Sequence, residues 1–221
     1  MQSPFSLTRA ELLADPLGEG LDDVRFPASL ARAVIGAFSR EGDLVLDPFA
    51  GYGTTAIVAV GMGRRAVAVE LLEDRVAHIR LRLGSAEPRA TVIRGDARDL
   101  RRLVAGPVDL CLTSPPYMAA VDHPENPLTG YRTHDGDYVT YLAELEAVFV
   151  QIVRLLRPGG HLVLNVADPR GEGGHVTPLV ADLRSRCARH LLLRQEVAIG
   201  WDEPPPGLQD DRLLVFEKPM G

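Results

Sequence analysis

Short apolar runs alternate with amphipathic stretches along most of the chain. Leu44-Val45-Leu46, Ala66 to Val69, Ala90 to Arg94, Val108 to Leu112 and His161 to Val166 are each too short for a helix. Polar or turn residues bound them, so each predicts a buried strand. Between them, residues 28–39 carry Leu30, Val34, Ile35 and Phe38 on one stripe and predict an amphipathic helix. Residues 54–62 predict an apolar helix, 73–83 a charged surface helix and 99–104 a short one. Residues 137–156 predict a long helix with Leu142, Leu145, Phe149, Ile152 and Leu156 inward, stopped by Arg157-Pro158-Gly159-Gly160. Thr177-Pro178 opens a further helix to about residue 190, with proline at the tolerated first position. Leu192 to Ile199 and Leu213 to Phe216 predict two last strands, joined only by a loop containing Pro204-Pro205-Pro206-Gly207. Thr8-Arg9-Ala10-Glu11 has capping-box spacing and opens a short helix near the start. Alternating strands and helices imply an α/β fold, a mostly parallel sheet covered on both faces. The final loop-linked strands imply an antiparallel pair at one edge. Residues 118–136 break the alternation with Pro124, Pro127, Gly130 and Gly136. So long a connection predicts a lid or substrate loop.

A length of 221 residues predicts one domain, 1–221, with ample core. The net charge of -6 and pI near 5.5 lack the basic footprint of proteins that hold long duplexes unaided. Lys218 is the only lysine, so the other basic residues are arginines. No apolar run is long enough to span a membrane, and Met1 to Ser6 lacks a basic start followed by an apolar stretch, so no signal peptide is expected. Cys111 and Cys187 fall in a predicted central strand and a predicted helix. They read as buried small apolar groups in a reducing, cytoplasmic compartment. The six histidines are scattered without ligand spacing, so no metal site is expected.

Two motifs carry chemistry. Asp47-Pro48-Phe49-Ala50-Gly51-Tyr52-Gly53-Thr54-Thr55 ends the first long strand and runs into a helix. Its glycines allow a sharp turn and close approach of backbone to a ligand. No Gly-Lys-Ser/Thr follows, so it is not a P-loop. Glu70 ends the next strand and Asp96-Ala97 follows the third; an acid at such a position can accept from ribose hydroxyls. Thr113-Ser114-Pro115-Pro116-Tyr117 then ends the fourth strand with a small hydroxyl, two stiff prolines and an aromatic ring. In this order and spacing the motifs resemble the amino-methyltransferase family. Its members are S-adenosylmethionine-dependent enzymes that methylate exocyclic amines of adenine or cytosine, mostly in DNA. The resemblance covers roughly residues 25 to 168.

The resemblance implies a seven-stranded Rossmann-like methyltransferase fold and S-adenosyl-L-methionine as cofactor. It assigns cofactor binding to Phe26, Pro27, Asp47, Pro48, Phe49, Gly51, Gly53, Thr54, Thr55, Glu70, Asp96 and Ala97. Phe26-Pro27 would pack at the methionine end and Asp96 would accept from the adenine amino group. Catalysis falls to Ser114, Pro115, Pro116 and Tyr117. An exocyclic amine is a poor nucleophile because its lone pair is delocalised into the ring. The Ser114 hydroxyl and Pro115 carbonyl would draw its hydrogens and free that lone pair. Tyr117 would stack on the flat ring, the hydroxyl having no part, and in a duplex the base would have to be flipped out. Many relatives have Asp or Asn where Ser114 stands; serine is a weaker acceptor and no carboxylate base, so cytosine N4 and adenine N6 both stay open.

No stretch is long enough for the target-recognition region typical of relatives that act on DNA. The expected partners are therefore a nucleic acid, DNA or RNA, or a small nucleobase-like amine. Two other readings stand beside nucleobase methylation: a small-molecule N-methyltransferase of a biosynthetic pathway, and a catalytically silent subunit with this fold. His123, Tyr131, His134 and Asp135 are further substrate-contact candidates, and Asn165 is expected at the same mouth. Arg98-Asp99-Leu100-Arg101-Arg102 reads as a solvated helix face and Trp201 as a packing residue.

Overall fold

The computed structural model describes residues 5–14, 25–117, 138–170, 174–205 and 207–221. The expected lid at 118–136, with His123, Tyr131, His134 and Asp135, lies outside the described residues.

Eight strands form one sheet: β1 (Phe5–Leu7), β2 (Leu44–Asp47), β3 (Arg65–Glu70), β4 (Ala90–Arg94), β5 (Val108–Thr113), β6 (Leu156–Pro169), β7 (Leu192–Trp201) and β8 (Leu208–Glu217). Their order is β1-β7-β8-β6-β5-β2-β3-β4. β8 runs antiparallel to both β6 and β7, and the remaining pairings are parallel. The helices are α1 (Arg9–Leu13), α2 (Ala28–Phe38), α3 (Thr54–Gly61), α4 (Glu73–Leu83), α5 (Leu100–Leu103), α6 (Tyr138–Leu155) and α7 (Leu179–Cys187).

The sheet divides the core in two because side chains alternate across a strand. Val45, Ala66, Ala68, Leu110, Leu112 and Val163 pack under α2 and α3. Their neighbours Leu46, Val67, Val69, Cys111, Leu162 and Leu164 pack under α6 and α7. Both faces are thus covered, as a parallel sheet requires. Cys111 and Cys187 are buried, and Trp201 packs beside the α2 core with its indole N–H donating to Asp211 at 2.8 Å. Among the described residues no helix is long and apolar enough to cross a membrane.

The sheet has eight strands where seven were expected. β1 is only three residues long, too short to give a periodicity, yet its Leu7 pairs with Trp201 and places it outside the β7–β8 pair. β6 begins at Leu156, directly after α6: the Arg157–Gly160 turn is drawn into pairing by reciprocal backbone bonds between Gly159, Gly160 and Lys218. Pro178 stands before α7 as its N-cap rather than inside it. The cap comes from across the fold, where the Asp168 carboxylate accepts from Val180 N–H at 2.8 Å. The Thr8–Glu11 capping box is present as expected.

Candidate active site

Parallel pairing of β4, β3, β2 and β5 brings their carboxyl ends to one edge of the sheet. The chain crosses from β4 back to β5 on the far side of β2, and open α/β sheets bind ligands beside such a reversal. A cleft opens there. Phe26, Asp47, Pro48, Phe49, Gly51, Thr54, Glu70, Asp96, Ala97 and all of Ser114 to Tyr117 line it.

The glycine turn is built by division of labour. Gly51 has φ 53° and Gly53 φ 83°, both left-handed. A Cβ on Gly53 would meet Ile79 at 2.9 Å, so this glycine serves packing against α4. A Cβ on Gly51 would meet nothing within 4 Å and would project into open space. Gly51 N–H donates to Glu70 at 2.8 Å and Leu72 N–H donates to the other Glu70 oxygen at 3.0 Å. Leu71 N–H is a third backbone donor to this carboxylate, which leaves about one of its roughly four lone-pair sites for a ligand. Burial raises the Glu70 pKa, against the pull of these hydrogen bonds and of Arg75.

Asp47 is buried, and Thr113 donates to it at 2.6 Å while Phe49 N–H donates at 3.1 Å. Burial pushes its pKa up to about 6, against the hydrogen bonds of Thr113, Thr55 and Phe49. Asp47 thus ties the end of β2 to the end of β5, where the second motif begins. Pro27, Gly53 and Thr55 do not reach the cleft wall. Pro27 caps α2, and Thr55 is buried with its hydroxyl turned to Asp47 and the Leu112 carbonyl.

Asp96 is not a free acceptor. Arg98 folds back on it, with guanidinium contacts from 2.6 to 3.0 Å, and also reaches Glu144 of α6 at 3.2 Å. Burial alone would raise the Asp96 pKa, but the Arg98 hydrogen bonds and charge hold it below the usual carboxylate range. Arg98 is solvent-exposed, as its helix-face reading expected, and also lies along the cleft rim.

The catalytic-loop candidate is fixed more firmly than its sequence suggests. Tyr117 is 6% exposed. Its phenol oxygen accepts from Ala167 N–H of β6 at 2.9 Å and is hydrogen-bonded to the Ser114 hydroxyl. Burial, then the charge of Asp211, raises its pKa. The hydroxyl therefore has a structural task that the stacking argument left out. Tyr117→Phe is expected to lower stability by about 1–3 kcal/mol, because the buried Ala167 N–H loses its acceptor. Urea unfolding checks this; an unchanged midpoint would contradict it. Asn165 is buried but turned away from the cleft lining, its amide donating to Asp211 at 2.7 Å.

Arg25, Tyr52, Leu71, Leu72 and Arg75 also line the cleft, as do Tyr141, Glu144, Leu145 and Val148 of α6. Periodicity marked Leu145 as inward. It held no sign that the same flank of α6 closes the cleft.

A family model described as DNA methylase matches residues 21–80. The Escherichia coli (strain K12) DNA adenine methyltransferase YhdJ is 47% identical over 50 residues, 23% of this chain and 17% of the relative. The 4-amino-L-phenylalanine/4-methylamino-L-phenylalanine methyltransferase of Streptomyces pristinaespiralis is 32% identical over 133 residues, 55% of this chain and 42% of the relative. The chain covers less than half the length of either of these curated relatives. TrmN from Thermus thermophilus superposes with a TM-score of 0.63 at 24% identity, over 87% of this chain and 49% of that one. Fold and cleft together define a protein with the Rossmann-like methyltransferase fold. Within that class, residues 21–80 are similar to DNA methylases.

Proposed function

We propose that the chain is an S-adenosylmethionine-dependent N-methyltransferase. Its acceptor is an amino group conjugated to a flat ring, the exocyclic amine of cytosine or adenine in DNA or RNA. The observation that carries this is that Ser114 and Pro115 line the same cleft as Gly51 and Glu70. The residues fit the cofactor: the missing Gly51 side chain leaves room for it and Glu70 keeps acceptor capacity for a ribose hydroxyl. Phe26 borders the methionine end; both Asp96 oxygens already accept from Arg98, so Asp96 meets the adenine amino group only if that ion pair opens. S-adenosylmethionine supplies an electrophilic methyl group. Ser114 and Pro115 accept from the amine and turn its lone pair out of conjugation. Asp47 and Glu70 supply negative charge for the cofactor's cationic centres. The intact glycine turn and Ser-Pro-Pro-Tyr loop argue against a silent subunit.

A second reading, methylation of a small arylamine, is favoured by charge. Asp168 and Asp211 act on the Tyr117 phenol, and Asp182 and Asp210 act on Asp168. Acids beside the loop oppose a phosphate backbone there. The arylamine enzyme also matches more than half of this chain, the DNA adenine enzyme less than a quarter. Nucleoside mass spectrometry of DNA and RNA treated with the protein and donor separates the two. The nucleobase reading expects N4-methylcytosine or N6-methyladenine. Methylation of 4-amino-L-phenylalanine with none of either nucleoside would replace it by the second reading. Random duplex DNA should bind weakly and progressively less as salt rises.

Cofactor affinity should depend on pH. Asp47 titrates near 6, and only its ionised form attracts a cation. The pKa is raised, so the attraction is present above this value and lost as pH falls through it. Going from about pH 7.5 to about pH 5 leaves roughly a tenth of Asp47 ionised, so affinity should fall about tenfold. Calorimetry at both values checks this; a flat profile would remove Asp47 from the cofactor's charge partners.

A further inference from the structure

Tyr141 stands in the first turn of α6, buried. Its phenol donates to the Pro116 carbonyl at 2.7 Å, across 25 residues of sequence. Tyr138 stacks on it with ring centroids 6.0 Å apart and donates to Asp182 of α7 at 2.7 Å. On the other side of the loop, Ala167 N–H of β6 holds the Tyr117 phenol. The Ser-Pro-Pro-Tyr segment is therefore gripped at two consecutive residues, Pro116 from α6 and Tyr117 from β6. Proline fixes φ at both inner positions and offers no N–H by which the loop could be held otherwise. Holding Pro116 and Tyr117 thus sets where the Pro115 carbonyl and the Ser114 hydroxyl aim.

We propose that Tyr141 is a positioning residue for methyl transfer, acting through the Pro116 carbonyl. This rests on the reading that Ser114 and Pro115 receive the substrate amine. Neither motif points to Tyr141, which lies on another element.

The test uses Tyr141→Phe in the full chain, which keeps the ring and its stacking on Tyr138. Three quantities are read: amide exchange of Ala167 by NMR, affinity for S-adenosylhomocysteine by calorimetry, and steady-state transfer. The transfer probes are 4-amino-L-phenylalanine and a single-stranded oligonucleotide containing adenine and cytosine. Loss of one hydrogen bond should lower kcat about tenfold with KM nearly unchanged. Ala167 exchange should quicken about fivefold or more, since its N–H is held by Tyr117, the residue after Pro116, while Leu162 and Val163 in mid-strand exchange as before. Homocysteine-product affinity should not move. A merely structural role would lower the unfolding midpoint and leave kcat per folded molecule intact. Unchanged kcat, or unchanged Ala167 exchange, overturns the proposal. If the wild type methylates neither probe, the functional reading fails, and the Ala167 exchange still decides whether Tyr141 holds the loop.

Discussion

Gly51→Val should leave a folded protein that no longer binds S-adenosylmethionine. Gly51 sits at φ 53° with no atom within 4 Å of where its side chain would begin. A valine there fills the room in which a cofactor would meet the backbone. The Gly51 N–H also donates to Glu70, so any shift that relieved the new side chain would move the proposed ribose acceptor too. The left-handed backbone costs about 1–2 kcal/mol for a residue with a Cβ, a tolerable part of a typical stability of about 5–15 kcal/mol. Affinity should therefore fall by about a hundredfold or more while unfolding remains cooperative. Calorimetry with circular dichroism on the same sample checks both halves. Binding at wild-type strength would remove the glycine turn from the cofactor site.

Ser114→Ala should slow methyl transfer about a hundredfold without changing cofactor affinity. One of the two acceptors for the amine is lost and the Pro115 carbonyl remains, so the rate falls without vanishing. A positioned polar contact of this kind is worth about 2.7–4 kcal/mol in a transition state. Serine is a weak acceptor, which places the effect at the low end. The hydroxyl also meets the Tyr117 phenol, so some loosening of that ring accompanies the change. Full turnover in the variant would mean that the substrate amine is activated elsewhere, or is not conjugated to a ring.

The strand ends were legible because buried parallel strands read as bare apolar runs, each closed by a polar residue. Asp47, Glu70 and Ser114 could thus be placed together once parallel pairing was assumed. Side-chain direction was not legible. Gly51 and Gly53 look alike in the sequence, yet one faces the cleft and the other faces Ile79. Thr54 and Thr55 are adjacent, and the helix turns only the first to the cleft. The tie from Arg98 to Glu144, which sets Arg98 between the Asp96 carboxylate and α6, joins residues 46 apart and left no sign in the sequence. Tyr141 shows the same limit: a helical stripe tells which face is buried, not what the buried face touches. The phenol of Tyr117 was undervalued for a related reason, because its partner is a backbone N–H on a distant strand.

The central claim is transfer of a methyl group to a ring-conjugated nitrogen. The most direct measurement gives the protein S-adenosylmethionine carrying a tritiated methyl group, with DNA, RNA and 4-amino-L-phenylalanine offered in parallel. Label is expected on nitrogen in at least one acceptor, lost or strongly reduced in Gly51→Val and Ser114→Ala. Label on none of the three while the donor is bound, or label attached to oxygen, sulfur or carbon, would contradict it.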